Sequence, residues 1–355
     1  MKKIIAGNWK QNGKHKTSIQ LVKNIITGIK KNKYKHEVII FPPSIYLSSL
    51  QGIVNKSDVK IGAQNVSAYN DGAFTGEISS SMLKDTKVQY CLVGHSERRH
   101  VFNESPDMLF EKVIRLFENN IKVIYCIGET LEQFKNKKTK SVLNAQVKKI
   151  FNKLKIKSTN IIIAYEPVWA IGTGLVPSDK DLIDAFKYIR NTINKFNPAY
   201  KSIKILYGGS VSPENANSLM KTPYMDGLLI GGASLNAKKF IDICSTIWDN
   251  YTMQTTILTI HIILAVILIV LVLVQQGKGA DAGAAFGSGA SSTVFGARGS
   301  ATFMNKLTTV IALSFFITSL SLAYISSNKS SGSKSLINDS VKEESTDTKE
   351  EFNKP

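Results

Sequence analysis

The sequence predicts an α/β protein: a closed, eight-stranded parallel (β/α)8 barrel, followed by two transmembrane α-helices and a disordered charged tail. Three observations carry this. Short apolar runs of strand length recur eight times in the first 250 residues; amphipathic segments with lysine-rich outer faces lie between them; and after Asp249 two long uncharged runs appear. Strands alternating with helices give parallel strands joined by crossover helices. Eight such units in about 250 residues is the size of a closed barrel, whereas an open doubly wound sheet would carry a Gly-x-Gly-x-x-Gly after its first strand. None follows Ile4–Gly7.

The strand-like runs are Ile4–Ala6, Val38–Phe41, Val59–Ala63, Tyr90–Val93, Val123–Ile127, Ile161–Tyr165, Ile203–Tyr207 and Gly227–Ile230. Helical spacing of apolar residues predicts helices over Thr17–Lys30, Ser105–Glu118, Leu131–Leu154 and Asp179–Lys195. Lys10, His95, Glu166, Ser210 and Gly232 all fall at or just past the C-terminal end of a predicted strand, the face on which such barrels carry their sites.

The stretch Tyr165–Gly174, reading Tyr-Glu-Pro-Val-Trp-Ala-Ile-Gly-Thr-Gly, organises the barrel. Glu166 sits where a buried strand ends, and Pro167 prevents further strand pairing. Val168 and Trp169 are bulky enough to pack as a hinge, and the small residues to Gly174 can swing and approach a ligand closely. This is a lid attached to a base; the plainer alternative is a solvated strand-end carboxylate followed by a turn.

Charge is concentrated in the first part. Residues 1–250 hold 37 Lys and Arg against 20 Asp and Glu, and residues 251–355 hold 8 against 7. A basic domain favours anionic partners, from phosphorylated metabolites to an acidic membrane. The balance of 40 Lys to 5 Arg also fits a compositional bias, and without an arginine stripe or interleaved aromatics it gives no nucleic-acid reading surface. Cys91, Cys126 and Cys244 form no CxxC pair and read as buried apolar residues in a reducing compartment, with no metal site. The N-terminus turns polar again too soon for a signal peptide.

His95 lies in Val93-Gly94-His95-Ser96-Glu97-Arg98-Arg99, at a strand end and a helix start, where the positive end of the helix dipole favours a neutral imidazole able to donate a proton. With Gly7-Asn8-Trp9-Lys10, Tyr165–Gly174, Tyr207-Gly208-Gly209-Ser210-Val211 and Gly231-Gly232-Ala233, residues 1–250 resemble the triosephosphate isomerase family in order and spacing. That family is the established example of a lidded carboxylate base opposite a neutral histidine. The resemblance implies a TIM barrel in which Glu166 moves the proton between carbons, His95 serves the two oxygens of an enediolate, and Lys10 with Asn8 holds positive charge over the oxyanion. It implies Glu97 as an orienting carboxylate. It implies substrate contacts at Asn8, Trp9 and Lys10 and a phosphate held by main-chain N–H groups at Gly172, Ser210, Gly231 and Gly232, although the late glycine pairs alone could serve only to turn the chain. Triose phosphates are then the substrates, with no metal and no organic cofactor. Gln11 replaces a common Met, and Leu175-Val176-Pro177 replaces a common Lys-Thr-Ala, which stiffens the lid's C-terminal hinge. Gln64–Glu77, carrying Phe74, resembles the family's long third loop and implies a homodimer through that loop.

In the second part, Ile257–Val274 and Leu307–Ile325 are each long enough to cross a bilayer. The segment between, Gln275–Asn305, is rich in Gly, Ala and Ser and is expected to be a loop that orders against a partner. Residues 253–328, with Gln275-Gln276-Gly277-Lys278-Gly279 and Phe295-Gly296-Ala297-Arg298-Gly299, resemble SecG, which implies the SecY/SecE protein-export channel as partner and the cytoplasmic (inner) membrane as location. Residues 329–355 form the charged tail. Lys278, Arg298 and Lys306 place the loop inside by the positive-inside rule, so both chain ends would lie outside, whereas an isomerase needs cytoplasmic substrate. Inverted insertion, an internal start at Met253, or a joined reading of two adjacent genes would each resolve this, and the position of Met253 between two complete segments favours the last two. A membrane-tethered phosphate-binding scaffold, and an export component with a passenger barrel, are the rival functions.

Overall fold

The computed structural model describes residues 2–32, 34, 36–152, 160–286 and 297–327, without side-chain description at 246–254, 274–286, 297–302 and 325–327. The described residues form two compact units that part between Ile247 and Trp248.

In the first unit, strands β1 (Ile4–Asn8), β2 (Glu37–Phe41), β3 (Val59–Ala63), β4 (Tyr90–Val93), β5 (Lys122–Ile127), β6 (Ile161–Tyr165), β7 (Lys204–Tyr207) and β8 (Gly227–Ile230) make a closed barrel in sequence order. Every neighbouring pair is parallel, and β1 closes on β8 with Ile4 opposite Gly227. All eight predicted strands are present, with ends shifted by at most two residues. Because side chains alternate along a strand, each strand feeds two cores. Ile4, Ala6, Phe41, Leu92, Ala164 and Leu206 fill the barrel interior, while Ile5, Ile40, Val93, Ile163 and Ile205 meet the surrounding helices.

Helix α1 (His15–Lys31) buries Val22, Ile25 and Ile29 against that outer layer. The short helices α2 (Leu47–Val54), α3 (Ser80–Asp85) and α4 (Ser96–His100) escaped the sequence reading because few periods fit in so few residues. Helix α5 (Pro106–Glu118) starts where Ser105 accepts a hydrogen bond from the Met108 N–H, with Pro106 in the first turn, where its missing donor costs nothing. The single helix expected over Leu131–Leu154 is corrected to α6 (Leu131–Lys135) and α7 (Thr139–Phe151). Lys137 between them takes φ of 56°, which no α-helix accommodates, and residues 153–154 fall outside the described set. Helix α8 (Asp179–Phe196) is capped by Ser178, and α9 (Pro213–Met220) precedes β8.

Helix α10 spans Ala237–Phe286 and begins in the first unit. The second unit contains its later part and α11 (Ala297–Ser327). Thr255–Leu273 and Phe303–Tyr324 have mean hydropathies of 3.1 and 1.8 and bury none of their length, in agreement with the two predicted spans. Such helices, apolar on every side, are stable only with lipid or partner around them. His261 and Thr318 join the two by a 2.9 Å hydrogen bond, with the His261 ring stacked on Phe315. The expected Gly-rich loop over Gln275–Asn305 is corrected at both ends, since α10 continues to Phe286 and α11 starts at Ala297. Alanine is frequent in both extensions, and its helix propensity offsets the glycines. Residues 287–296 of that loop and the predicted tail, 329–355, lie outside the described residues.

Candidate active site

The site occupies the C-terminal ends of the strands. Asn8 ends β1, and Lys10 two residues on takes a left-handed backbone with φ of 51°. A non-glycine residue in that region stores about 1–3 kcal/mol of strain and needs neighbours to hold it. Here the Lys10 N–H donates to Asn8 Oδ1 at 3.0 Å, and Gln64 Nε2 donates to the Lys10 carbonyl at 2.8 Å and to that of Phe41 at 2.8 Å. The ammonium so placed reaches Glu97 Oε1 at 2.5 Å.

His95 follows β4 and caps α4. Its Nδ1 accepts from the Glu97 N–H at 3.3 Å, which leaves the proton of a neutral ring on Nε2. The Glu97 carboxylate also lies 3.5 Å from Nδ1, but it is committed to Lys10 at the shorter distance, and the amide contact fixes the tautomer. Nε2 in turn sits 3.7 Å from Glu166 Oε1.

Glu166 is almost fully buried at the end of β6. The Ser96 N–H donates to its Oε2 at 3.1 Å, so the first turn of α4 serves both the imidazole and the carboxylate. Two glycines make room for it. A Cβ on Gly208 would stand 2.7 Å from Glu166 Cγ, and one on Gly128 only 1.8 Å from the Glu166 carbonyl oxygen. The buried Cys126 thiol lies against this carboxylate; burial first, then the charge of Glu166, pushes its pKa well up and keeps it protonated.

The loop expected to act as a lid begins at Val168. Glu129, wholly buried, accepts from Tyr165 OH at 3.1 Å and Trp169 Nε1 at 3.2 Å, which ties the lid's first hinge to the barrel. Burial holds the Glu129 pKa above the usual carboxylate range despite these donors. Gly172 and Gly174 take positive φ of 71° and 80° at the exposed tip. Ser210 Oγ donates to the Ala170 carbonyl at 2.7 Å and accepts from the Gly174 N–H at 3.2 Å, so the loop after β7 holds the lid's far side.

Asn8, Lys10, His95, Glu166, Gly172, Ser210, Gly231 and Gly232 line one cavity of about 360 Å³. Glu97 lines an adjoining groove of about 570 Å³ with Lys10, His95, Val101 and Phe102. Trp9, predicted as a substrate contact, lines neither: it is 1% exposed in the barrel's outer core, because the residue after Asn8 points away from the barrel axis. Sequence reasoning missed Asn215 and Ser212, which line the cavity, and the supporting roles of Gln64, Gly128, Gly208 and Glu129. Asn215 accepts from the Ser212 N–H at 2.8 Å and donates to the Ser210 carbonyl at 3.2 Å, bracing the turn that carries Ser210. The capping spacing Ser212-x-x-Asn215 was the available signal.

A buried carboxylate, an imidazole held by a main-chain N–H and a lysine around a glycine-floored cavity define a (β/α)8-barrel enzyme with its site at the strand C-terminal ends. Known proteins agree. The triosephosphate isomerase family model matches residues 3–247, and that of the preprotein translocase SecG subunit matches residues 254–344. Triosephosphate isomerase of Ruthia magnifica subsp. Calyptogena magnifica is 42% identical over 243 residues, covering 68% of this chain and 97% of the relative, and that of Methylococcus capsulatus is 39% identical over 246 residues, covering 69% and 98%. The crystal structure of triosephosphate isomerase from Bartonella henselae superposes with a TM-score of 0.64 at 35% identity, covering 69% of this chain and 99% of that one. The chain belongs to the triosephosphate isomerase family and carries a SecG domain beyond its barrel.

Proposed function

We propose that the barrel interconverts dihydroxyacetone phosphate and D-glyceraldehyde 3-phosphate. The observation that carries this reading is the convergence of Glu166, His95 Nε2 and Lys10 on one cavity floored by glycine main chain. Glu166 takes a proton from the carbon beside the carbonyl and returns it to the neighbouring carbon. The His95 Nε2–H protonates the enediolate oxygen, and Lys10 stabilises the negative charge as it develops. The substrate phosphate lies against the N–H groups of Gly172, Gly231 and Gly232, and against that of Ser210 once it releases the Ala170 carbonyl, which it holds at 2.9 Å. Lid closure then excludes water and protects the intermediate. A coupled isomerase assay tests it: turnover by the purified full chain that survives Glu166→Gln would remove the carboxylate from the mechanism.

The groove lined by Lys10, Gln11, Val101 and Phe102 supports a homodimer. Its apolar wall is matched by the tip of the Gln64–Glu77 loop, where Tyr69 and exposed Phe74 stack at 4.3 Å, and a second copy's tip would cover both surfaces. For the second unit, the SecG match and the two exposed apolar helices support membrane association with the SecY/SecE channel, the barrel staying on the cytoplasmic side where its substrate is. An immunoblot with antibodies to each part checks this joint reading: one shared membrane band near 39.1 kDa supports it, and two smaller bands overturn it.

A further inference from the structure

Gln146 is a polar residue on the inward stripe of α7. That stripe buries Leu143, Val147 and Ile150, and Gln146 stands among them at helical spacing. Both ends of its carboxamide go to one residue. The Gly128 N–H donates to Gln146 Oε1 at 2.8 Å, and Gln146 Nε2 donates to the Gly128 carbonyl at 3.0 Å. Only one orientation of the carboxamide satisfies both groups, so the two bonds fix its rotation as well as its place. Tyr125 OH, from β5 itself, donates to the Gln146 main-chain carbonyl at 3.3 Å and ties the same turn of α7 to the same strand.

Gly128 is where β5 leaves the sheet. The Glu166 N–H donates to the Ile127 carbonyl at 2.7 Å, and Gly128 follows, buried, beyond the last residue of the strand. A glutamine carboxamide carries the donor and acceptor of a peptide group, so Gln146 pairs a buried N–H and C=O that would otherwise be orphaned. The consequence lies in what Gly128 touches. A Cβ there would stand 1.8 Å from the Glu166 carbonyl oxygen, so the two main chains are in direct contact. The next residue, Glu129, accepts the Val168 N–H on its carbonyl at 3.0 Å and the Tyr165 and Trp169 side chains on its carboxylate. Movement of Gly128 therefore carries Glu166 and the first hinge with it. Gly231 and Gly232, offered to the phosphate in the proposed reaction, follow β8 and have no share in that movement.

We infer that Gln146 is a positioning residue for the proton-transfer base: its carboxamide, clamped on Gly128, holds the Glu166 main chain where the reaction needs it. Gln146 lines neither the cavity nor the adjoining groove, and it acts only through Gly128. The inference rests on the isomerase reading of the barrel.

The test measures kcat and KM of the full chain in the coupled isomerase assay for the wild type, Gln146→Met, Gln146→Glu and, as a control, Ser105→Ala. Methionine keeps the length of the side chain and loses both hydrogen bonds. Since a misplacement of about 1 Å costs on the order of a hundredfold, kcat of Gln146→Met is expected to fall by about ten- to a hundredfold, with KM little changed. Ser105→Ala removes the α5 cap and lowers the melting temperature without touching the Gly128 segment, so its kcat should equal that of the wild type. Gln146→Glu supplies a signature that lost stability cannot imitate. Ionised, the new carboxylate accepts from the Gly128 N–H but repels the Gly128 carbonyl; protonated, it offers an O–H to that carbonyl and restores the pattern of the amide. The ratio of its kcat to that of the wild type, in which groups common to both proteins cancel, should climb as pH falls from about 8 to about 5, toward the titration range of a carboxyl group. Wild-type kcat in both Gln146 variants of an active enzyme would overturn the inference alone, as would a raised KM with kcat unchanged. A wild type without turnover would overturn the isomerase reading, and this inference with it. Should Gln146→Met fail to fold, Gln146→Glu decides by itself: a rising ratio supports the clamp, and a ratio flat in pH overturns it.

Discussion

The two ends of the barrel are built from the same strands, yet they treat charge in different ways. At the C-terminal end, Glu166, His95, Lys10 and Glu97 lie within hydrogen-bonding or near-contact distance of one another, and glycines clear the space around them. At the N-terminal end, Lys60 pairs with Glu37 and Arg190 with Asp226, while Lys3 and Lys204 reach main-chain carbonyls and Lys122 a hydroxyl. The first arrangement fixes single atoms to fractions of an ångström, which proton transfer requires. The second is made of separate, partly exposed pairs that brace the strand starts and need no such precision.

The largest break in this contrast should come from Glu166→Gln, which keeps the shape and removes the base; turnover in a coupled assay should fall by about 10²–10⁴-fold with the circular dichroism spectrum unchanged. Gly208→Ala tests whether precision matters as much as identity. Its new Cβ would meet Glu166 Cγ at 2.7 Å and must displace the carboxylate. A shift of about 1 Å costs on the order of a hundredfold, so kcat should drop by roughly that factor while stability changes little. A variant with wild-type kcat would show that the carboxylate tolerates displacement.

Glu129 sharpens the comparison within the active-site end. Its pKa is raised in the folded protein by burial, from an ordinary value of 4.5. As pH rises from there, the unfolded chain ionises first and the folded state loses relative stability through the folded pKa, beyond which the loss is constant. Glu129→Gln cannot ionise, so the wild-type melting temperature should gain on that of the variant as pH falls toward 4.5, and parallel curves would contradict the burial argument. The smallest effect belongs to the other end. Lys204→Gln should leave kcat unaltered and stability within about 0.5 kcal/mol by denaturant titration, as a partly exposed residue that makes no salt bridge among the described residues.

Much of the architecture was legible because it is written in local patterns. Each strand shows as a short apolar run, and its closure with the others follows from their number. Glu166, His95 and Lys10 were legible because each closes a strand within a distinctive string of neighbours. The break between α6 and α7 was not, since the apolar spacing of Leu131–Leu154 continues across the turn at Lys137 and periodicity cannot see a single backbone angle. The helical extensions of the glycine-rich stretch were hidden because glycine content argued for a loop while alanine content argued for a helix.

The sequence by itself thus determined which elements exist and which side chains stand at strand ends, because both depend on residues adjacent in the chain. Only the tertiary structure decided what those side chains face. Trp9 turned into the outer core while Asn8 entered the cavity, a difference set by the pleat and by which layer lies on each side of β1. Gly128 and Gly208 mattered for Glu166 because the closed barrel brings β5 and β7 to either side of β6. The contact of Lys204 with the Lys2 carbonyl, likewise, joins positions 202 residues apart in sequence, which no local pattern can do.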